Sequence, residues 1–209
     1  MPDALPVYCN VRVTLLTTDG VVLDTRESHN VVTNIGRDWV AHLLGSSDYS
    51  QPDPAPHDKR KIAYMAVGCG GALQDGVGFA KNQNELVTVV ALEDPVPMFM
   101  DGNNLPVYLK GVDYQQATST YFPSNAKTVF VVDIAESEVS FVGNMAKTSN
   151  KVVGTDVPVS EAGLYLSGTN QNPINLHIPE ADALFAYDIF TPIHVTPNTV
   201  LRIEWSIQC

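Results

Sequence analysis

The chain has 209 residues, 44% of them hydrophobic and 17% charged, with a formal net charge of −11 and a pI near 4.6. That length supports one well-packed core, and the composition excludes a disordered chain. The acidity excludes broad phosphate-backbone binding, which needs clustered Lys and Arg, and is most simply a source of solubility.

Residues 1–5 read as a short arm. From Pro6 the chain alternates, with Val7, Cys9, Val11, Val13 and Leu15 on one side and Tyr8, Asn10, Arg12 and Thr14 on the other. That is the two-residue period of a strand with one buried face. Thr17-Thr18-Asp19-Gly20 supplies a hairpin turn, because Asp-Gly accepts positive φ, and Val21 to Arg26 returns as the partner strand. Asn30 to Gly45 predicts the one amphipathic helix, regular over about residues 33–44, with Ile35, Trp39, Val40, Leu43 and Leu44 on one face. Thr33 or Asn34 caps its start and Gly45 ends it. The helix is expected to pack on a sheet through Trp39, with His42 on the rim.

Ser46 to Arg60 is a loop, since Pro52, Pro54 and Pro56 fit neither a regular helix nor a central strand. A loop this long is either functional or ordered by a neighbouring subunit. Lys59-Arg60-Lys61 forms the basic cluster, read either as a solvated turn or as a contact for an acidic partner surface. Ile62 to Val67 is a short strand that ends in Gly68-Cys69-Gly70-Gly71. The glycines carry neither the Gly-Lys-Ser/Thr of a phosphate loop nor the spacing of a dinucleotide fingerprint. They predict a flexible crossing loop that continues through Gly76 and Gly78.

Glu85 to Leu92 reads as a strand or strand-like arm. Asp94 to Asn104 is a Pro-rich loop holding Met98, Phe99 and Met100, either a satellite core or an exposed contact surface. Val107 to Tyr114 suggests another strand, and the stretch to Ala126 is polar and aromatic. Lys127 to Ile134 is a strand, followed by a shorter one over Glu138 to Val142. Asp133, Glu136, Glu138 and Asp156 raise calcium binding or acid–base chemistry, but no EF-hand ligand loop occurs, and a solvated acidic face is expected.

The C-terminal run from Glu161 to Ile207 holds three strands. In the last, Leu201, Ile203, Trp205 and Ile207 face inward and Arg202, Glu204 and Ser206 outward, after a turn at Pro197-Asn198. Glu161, at a strand start beside Ala162-Gly163, is placed to take backbone amides from an adjacent loop, a structural role.

No reactive constellation emerges. His29, His42, His57, His177 and His194 lack metal-ligand spacing, and no Gly-x-Ser-x-Gly elbow occurs. Cys9, Cys69 and Cys209 argue against a disulfide framework or a zinc site, and Cys9 is expected to be a buried thiol. The reading is of a non-enzyme without catalytic, cofactor-binding or metal residues. The opening Met-Pro-Asp, without a basic or apolar leader, leads to the expectation of folding in a cytoplasm.

Four pieces in a set order carry a resemblance. A hairpin leads to Asn30-Val-Val-Thr-Asn-Ile-Gly-Arg-Asp-Trp-Val-Ala-His-Leu-Leu-Gly. Ile62-Ala-Tyr-Met-Ala-Val-Gly follows, then Val159-Ser-Glu-Ala-Gly-Leu-Tyr-Leu. The last piece is Ala183-Leu-Phe-Ala-Tyr-Asp-Ile-Phe-Thr-Pro-Ile with the closing Val200-Leu-Arg-Ile-Glu-Trp-Ser-Ile. The order resembles a family of small structural proteins of tailed bacteriophages, over most of the chain and most thinly from Glu85 to Asn125. The resemblance implies a virion protein assembled in the host cytoplasm. Its partners would be the major capsid protein or another virion protein, as a homo-oligomer, without direct contact to nucleic acid or membrane.

The expected fold is mainly β, a two-sheet sandwich or jelly-roll-like domain over residues 1–209, with one helix and inserted loops at about 46–60 and 94–126. The expected role is capsid decoration (cement). The alternatives are a tail, baseplate or fibre-attachment component, or a glycan-binding module lined by Tyr108, Tyr114, Tyr121 and Phe122. Lys59, Arg60, Lys61, Met98, Phe99 and Met100 are the candidate partner contacts.

Overall fold

The computed structural model describes residues 8–45, 61–73, 79, 88–116, 127–135, 138, 156–167, 174–177 and 183–208. The alternating N-terminal segment forms β1 (Tyr8–Thr17), which turns at Gly20 (φ 82°) into β2 (Val22–His29). The turn is closed by Thr17 N–H to Val21 O at 2.8 Å and Gly20 N–H to Thr17 O at 2.9 Å. Lys127–Ile134 forms β10 and Thr199–Gln208 forms β13. With β9 (Asp113–Gln116) they build a five-stranded sheet in the order β2-β1-β13-β10-β9. The pairings of β1 with β2 and β13, and of β10 with β13 and β9, are antiparallel.

The second sheet is built on β11 (Val157–Leu166) and β12 (Leu184–Val195). Its order is β3-β12-β11-β4-β5, where β3 is Val31–Val32, β4 is Ile62–Gly68 and β5 is Pro95–Val96; β8 (Lys110–Gly111) also pairs with β4. A separate hairpin joins β6 (Phe99–Met100) to β7 (Pro106–Val107). The protein is mainly β, with two sheets packed in a sandwich-like arrangement and one helix among the described residues.

The main core lies between the sheets. Val11, Val13, Phe130, Val132, Ile134, Leu201, Ile203 and Trp205 meet Met65, Val67, Ala162, Leu164, Phe185 and Ile193. Trp205 is fully buried, and Ile207 at the strand end is half-buried rather than enclosed. A second apolar cluster holds Leu92, Leu109, Tyr165, Leu184, Tyr187 and Ile189. Strand β11 therefore has both faces covered, and all ten of its residues are buried. The 94–126 insertion, described as far as Gln116, supplies part of this cover.

Helix α1 spans Asn34–Gly45, later than the expected start, because the β-branched pair Val31–Val32 adds to β12 opposite Tyr187 and Ala186. Thr33 is the cap. Its hydroxyl accepts from Gly36 N–H at 3.1 Å and donates to Leu184 O at 2.5 Å, and its carbonyl accepts the first helical bond from Arg37 at 2.9 Å. One residue thus starts the helix and ties it to β12. Trp39 packs edge-on against Phe185, with ring centroids 5.6 Å apart. The side chains of His42, Leu43 and Leu44 lie outside the described residues.

Other expectations need correction. Thr88 to Leu92 is not a strand, and Glu85 to Val87 fall outside the described residues. Val107 to Tyr114 is divided among three short strands instead of one. Glu138 is not in a strand, and residues 139–142 are not described. The loop Ser46 to Arg60 is likewise outside the described residues.

Candidate functional site

The most concentrated polar site is built on Glu161. A bulge between Val159 and Glu161 shifts the alternation of β11. Val157 and Val159 point into the inter-sheet core together with Ala162, Leu164 and Leu166, while Tyr165 joins the second cluster. Glu161 is opposite Gly68 of β4 and is fully buried in mid-strand, not at a strand start.

Its carboxylate is held by neutral donors. Oε2 accepts from Glu93 N–H at 2.9 Å and from the Tyr187 hydroxyl at 2.8 Å, and Oε1 accepts from Asp94 N–H at 2.7 Å. The Gly70 backbone adds a further hydrogen bond. Burial pushes the carboxyl above its ordinary value of 4.5, while these donors pull it down and the balance stays upward. Burial, and then the Glu161 charge, push the Tyr165 and Tyr187 phenols well above the usual tyrosine range.

The glycines expected to form a flexible crossing loop are instead packed against this carboxylate, and residues 68–72 are buried. On Gly70, the three nearest atoms to an added Cβ would all belong to Glu161, with Cδ at 2.5 Å and Oε1 at 2.8 Å. On Gly68, an added Cβ would meet Glu161 and also the Asp94 carbonyl oxygen at 2.5 Å. Ser160 Oγ donates to Gly70 O at 2.6 Å, and Cys69 N–H donates to Asp94 O at 2.9 Å. The carboxylate thus fastens the 68–72 turn and the 93–94 segment to the sheet. Sealed from solvent, it acts as a hydrogen-bond hub, in the structural role its sequence context predicts. Gly76 and Gly78 are outside the described residues.

Sequence reasoning missed Tyr187 and the glycine clamp. The available signal was spacing: glycines at 68 and 70 leave a strip without Cβ atoms, the shape a buried carboxylate requires.

The solvent-facing surface of the five-stranded sheet carries a cleft of about 460 Å³ lined by Asn10, Arg12, Glu27, His29, Lys127 and Glu204, among others. Arg12 Nε bonds Glu27 Oε1 at 2.8 Å, Arg12 Nη1 approaches Glu204 Oε2 at 3.9 Å, and His29 Nδ1 lies 2.5 Å from Asn10 Oδ1. Arg12 thus pairs with carboxylates on both neighbouring strands.

The expected partner contacts divide. Lys59 and Arg60 are outside the described residues. Lys61 is exposed, and its backbone pairs with Ser167, its N–H reaching Oγ at 3.1 Å and its carbonyl accepting from Ser167 N–H at 2.6 Å. Met98 is a correction. At 2% exposure it belongs to the main core, because the β6–β7 hairpin turns it inward, and it offers no contact surface. Phe99 and Met100 are half-buried, with Phe99 packed on that core.

The carboxylates do not converge. Asp133 takes a two-point contact from Arg202 at 2.7 Å and 2.7 Å, Glu138 pairs with Lys110, and Asp156 sits 3.0 Å from His194. The Arg202 hydrogen bonds hold the Asp133 carboxyl below its ordinary value. Glu136 is outside the described residues. Among the described residues no group of three or more His, Cys, Asp or Glu could hold a metal ion. Among them, too, no helix is long and apolar enough to cross a membrane. Cys9 and Cys69 are buried thiols. Of the aromatic residues considered for a glycan groove, Tyr108 is half-buried, the Tyr114 side chain is not described, and Tyr121 and Phe122 lie outside the described residues.

No family model, no curated protein and no solved structure matches this chain.

Proposed function

We propose that the chain is a structural subunit of a tailed-bacteriophage virion, acting as a decoration (cement) protein that binds and stabilises the capsid lattice. The observation that carries this reading is an apolar run at the edge of the five-stranded sheet. Val21, Val22 and Leu23 are 60%, 58% and 54% exposed at the start of β2, which pairs only with β1 among the described strands. An exposed apolar edge is a liability to an isolated subunit and a resource to one that assembles. The motif order from Asn30 to Trp205 supports the same reading. So does the use of the buried carboxylate as an internal fastening, which suits a protein that works through contact area. The partners are the major capsid protein, or another virion protein, and further copies of the chain.

The test is to mix purified chain with capsids assembled without it and follow binding by co-sedimentation. Saturable binding at a fixed ratio to the capsid subunit is expected, with greater resistance of the loaded capsid to heat. Absence of binding to both mature and precursor capsids would overturn the proposal.

A further inference from the structure

We infer that the outer edge of β2 is a self-association surface, which joins two copies of the chain antiparallel across a two-fold axis through Thr25. Among the described strands β2 ends its sheet; at its C-terminal end Ser28 hydrogen-bonds Asp188 of β12, and Thr25 and Glu27 are exposed on its solvent face. Asp24 and Arg26 are half-buried on the opposite face and hydrogen-bonded to one another. In β1 they lie opposite Leu15 and Val13, which point into the core.

The register follows from parity and charge. Two copies that continue one sheet must pair residues of the same face, and a one-residue slip breaks this rule. A slip of two residues either way sets Asp24 against Asp24, or Arg26 against Arg26, and like charges opposite one another are unfavourable. The register centred on Thr25 sets Asp24 of each copy against Arg26 of the other and pairs the two Thr25 residues. Each ion pair within a chain can thus be exchanged for, or extended into, a pair between chains. The same alignment brings Leu23, which sits in the bulge where the β1–β2 register shifts, toward Glu27 of the second copy and takes part of the apolar run out of water. Closed two-fold symmetry also leaves each edge satisfied, which an open-ended contact would not.

This inference stands apart from the virion reading, because the purified chain alone is measured. Sedimentation velocity of wild type across a concentration series is expected to show a reversible dimer. D24R and R26D should each weaken dimerisation by about tenfold or more, since every copy then meets its own charge. An equimolar mixture of the two should recover a heterodimer, because the two arginines on the D24R strand face the two aspartates on the R26D strand. Mixing cannot repair a defect within one chain, so recovery isolates the contact between chains. T25R and T25E form a second pair at an exposed position without the internal ion pair, and are expected to be monomeric alone and dimeric when mixed. A monomeric wild type overturns the inference, as does dimerisation of all four variants like wild type, or failure of both mixtures. Particle binding by a strictly monomeric wild type would overturn this inference and leave the virion reading intact.

Discussion

Gly70→Ala tests the carboxylate fastening most sharply, because the added methyl would collide first with one side chain. Its Cβ would lie 2.5 Å from Glu161 Cδ and 2.8 Å from Oε1, well inside ordinary contact. Glu161 cannot step aside without loosening bonds to Glu93 N–H, Asp94 N–H and the Tyr187 hydroxyl. Overpacking of this kind costs about 1–3 kcal/mol, and the upper end applies where the neighbour is tied. Glu161→Ala alone strands several buried donors at about 1–3 kcal/mol each before any relaxation, so about 4 kcal/mol is expected. The two substitutions should not add. With the carboxylate gone the Gly70 methyl has room, and the double variant should be more stable than the sum predicts by about 2 kcal/mol. Gly68→Ala is the control. Its Cβ also meets the Asp94 carbonyl oxygen at 2.5 Å, so removal of Glu161 should leave much of its cost in place. Urea denaturation of wild type, the three single variants and the two double variants at pH 7 measures the cycle. Additivity of Gly70→Ala with Glu161→Ala, or equal relief of Gly68→Ala, would refute the reasoning.

Two further outcomes follow from the core and the surface. Trp205→Ala should cost about 3–5 kcal/mol by denaturant midpoint, since the ring is fully buried in the main core; a midpoint close to wild type would contradict that placement. Asp133 is held below its ordinary pKa of 3.8 by Arg202, so its contribution is present above that value and lost as the pH falls through the depressed native one. Asp133→Asn should therefore cost well under about 1 kcal/mol at neutral pH, as exposed pairs do, and the difference from wild type should vanish in acid. A difference that grows as the pH falls would be the wrong sign.

Much of the sandwich was legible because half-buried strands write their period into the chain. Lys127–Ile134 matches its expected bounds, and the alternation in β1 and β13 names the core residues Val11, Val13, Leu201, Ile203 and Trp205. The pattern fails where both faces are covered. In β11 a bulge resets the alternation and every residue is buried, so periodicity could not assign Glu161 to a face. It fails again at Val31–Val32, where two residues beside a helix cap complete a sheet edge that only the tertiary fold supplies. Met98 was ambiguous because a methionine between prolines has the same local chemistry in a core or on a surface. The role of Glu161 was readable from its flanking residues, whereas its clamp of Gly68, Gly70 and Tyr187 comes from segments far apart in the chain.

A virion structural role requires the chain to be a stoichiometric part of the particle. Particles purified from a lysate in which the chain is made would be dissociated, and the chain quantified against the major capsid protein. A ratio near one per capsid subunit, or one per few, is the predicted result. A ratio of a few per cent would move the chain to the tail or baseplate, and its complete absence from particles would contradict the virion reading.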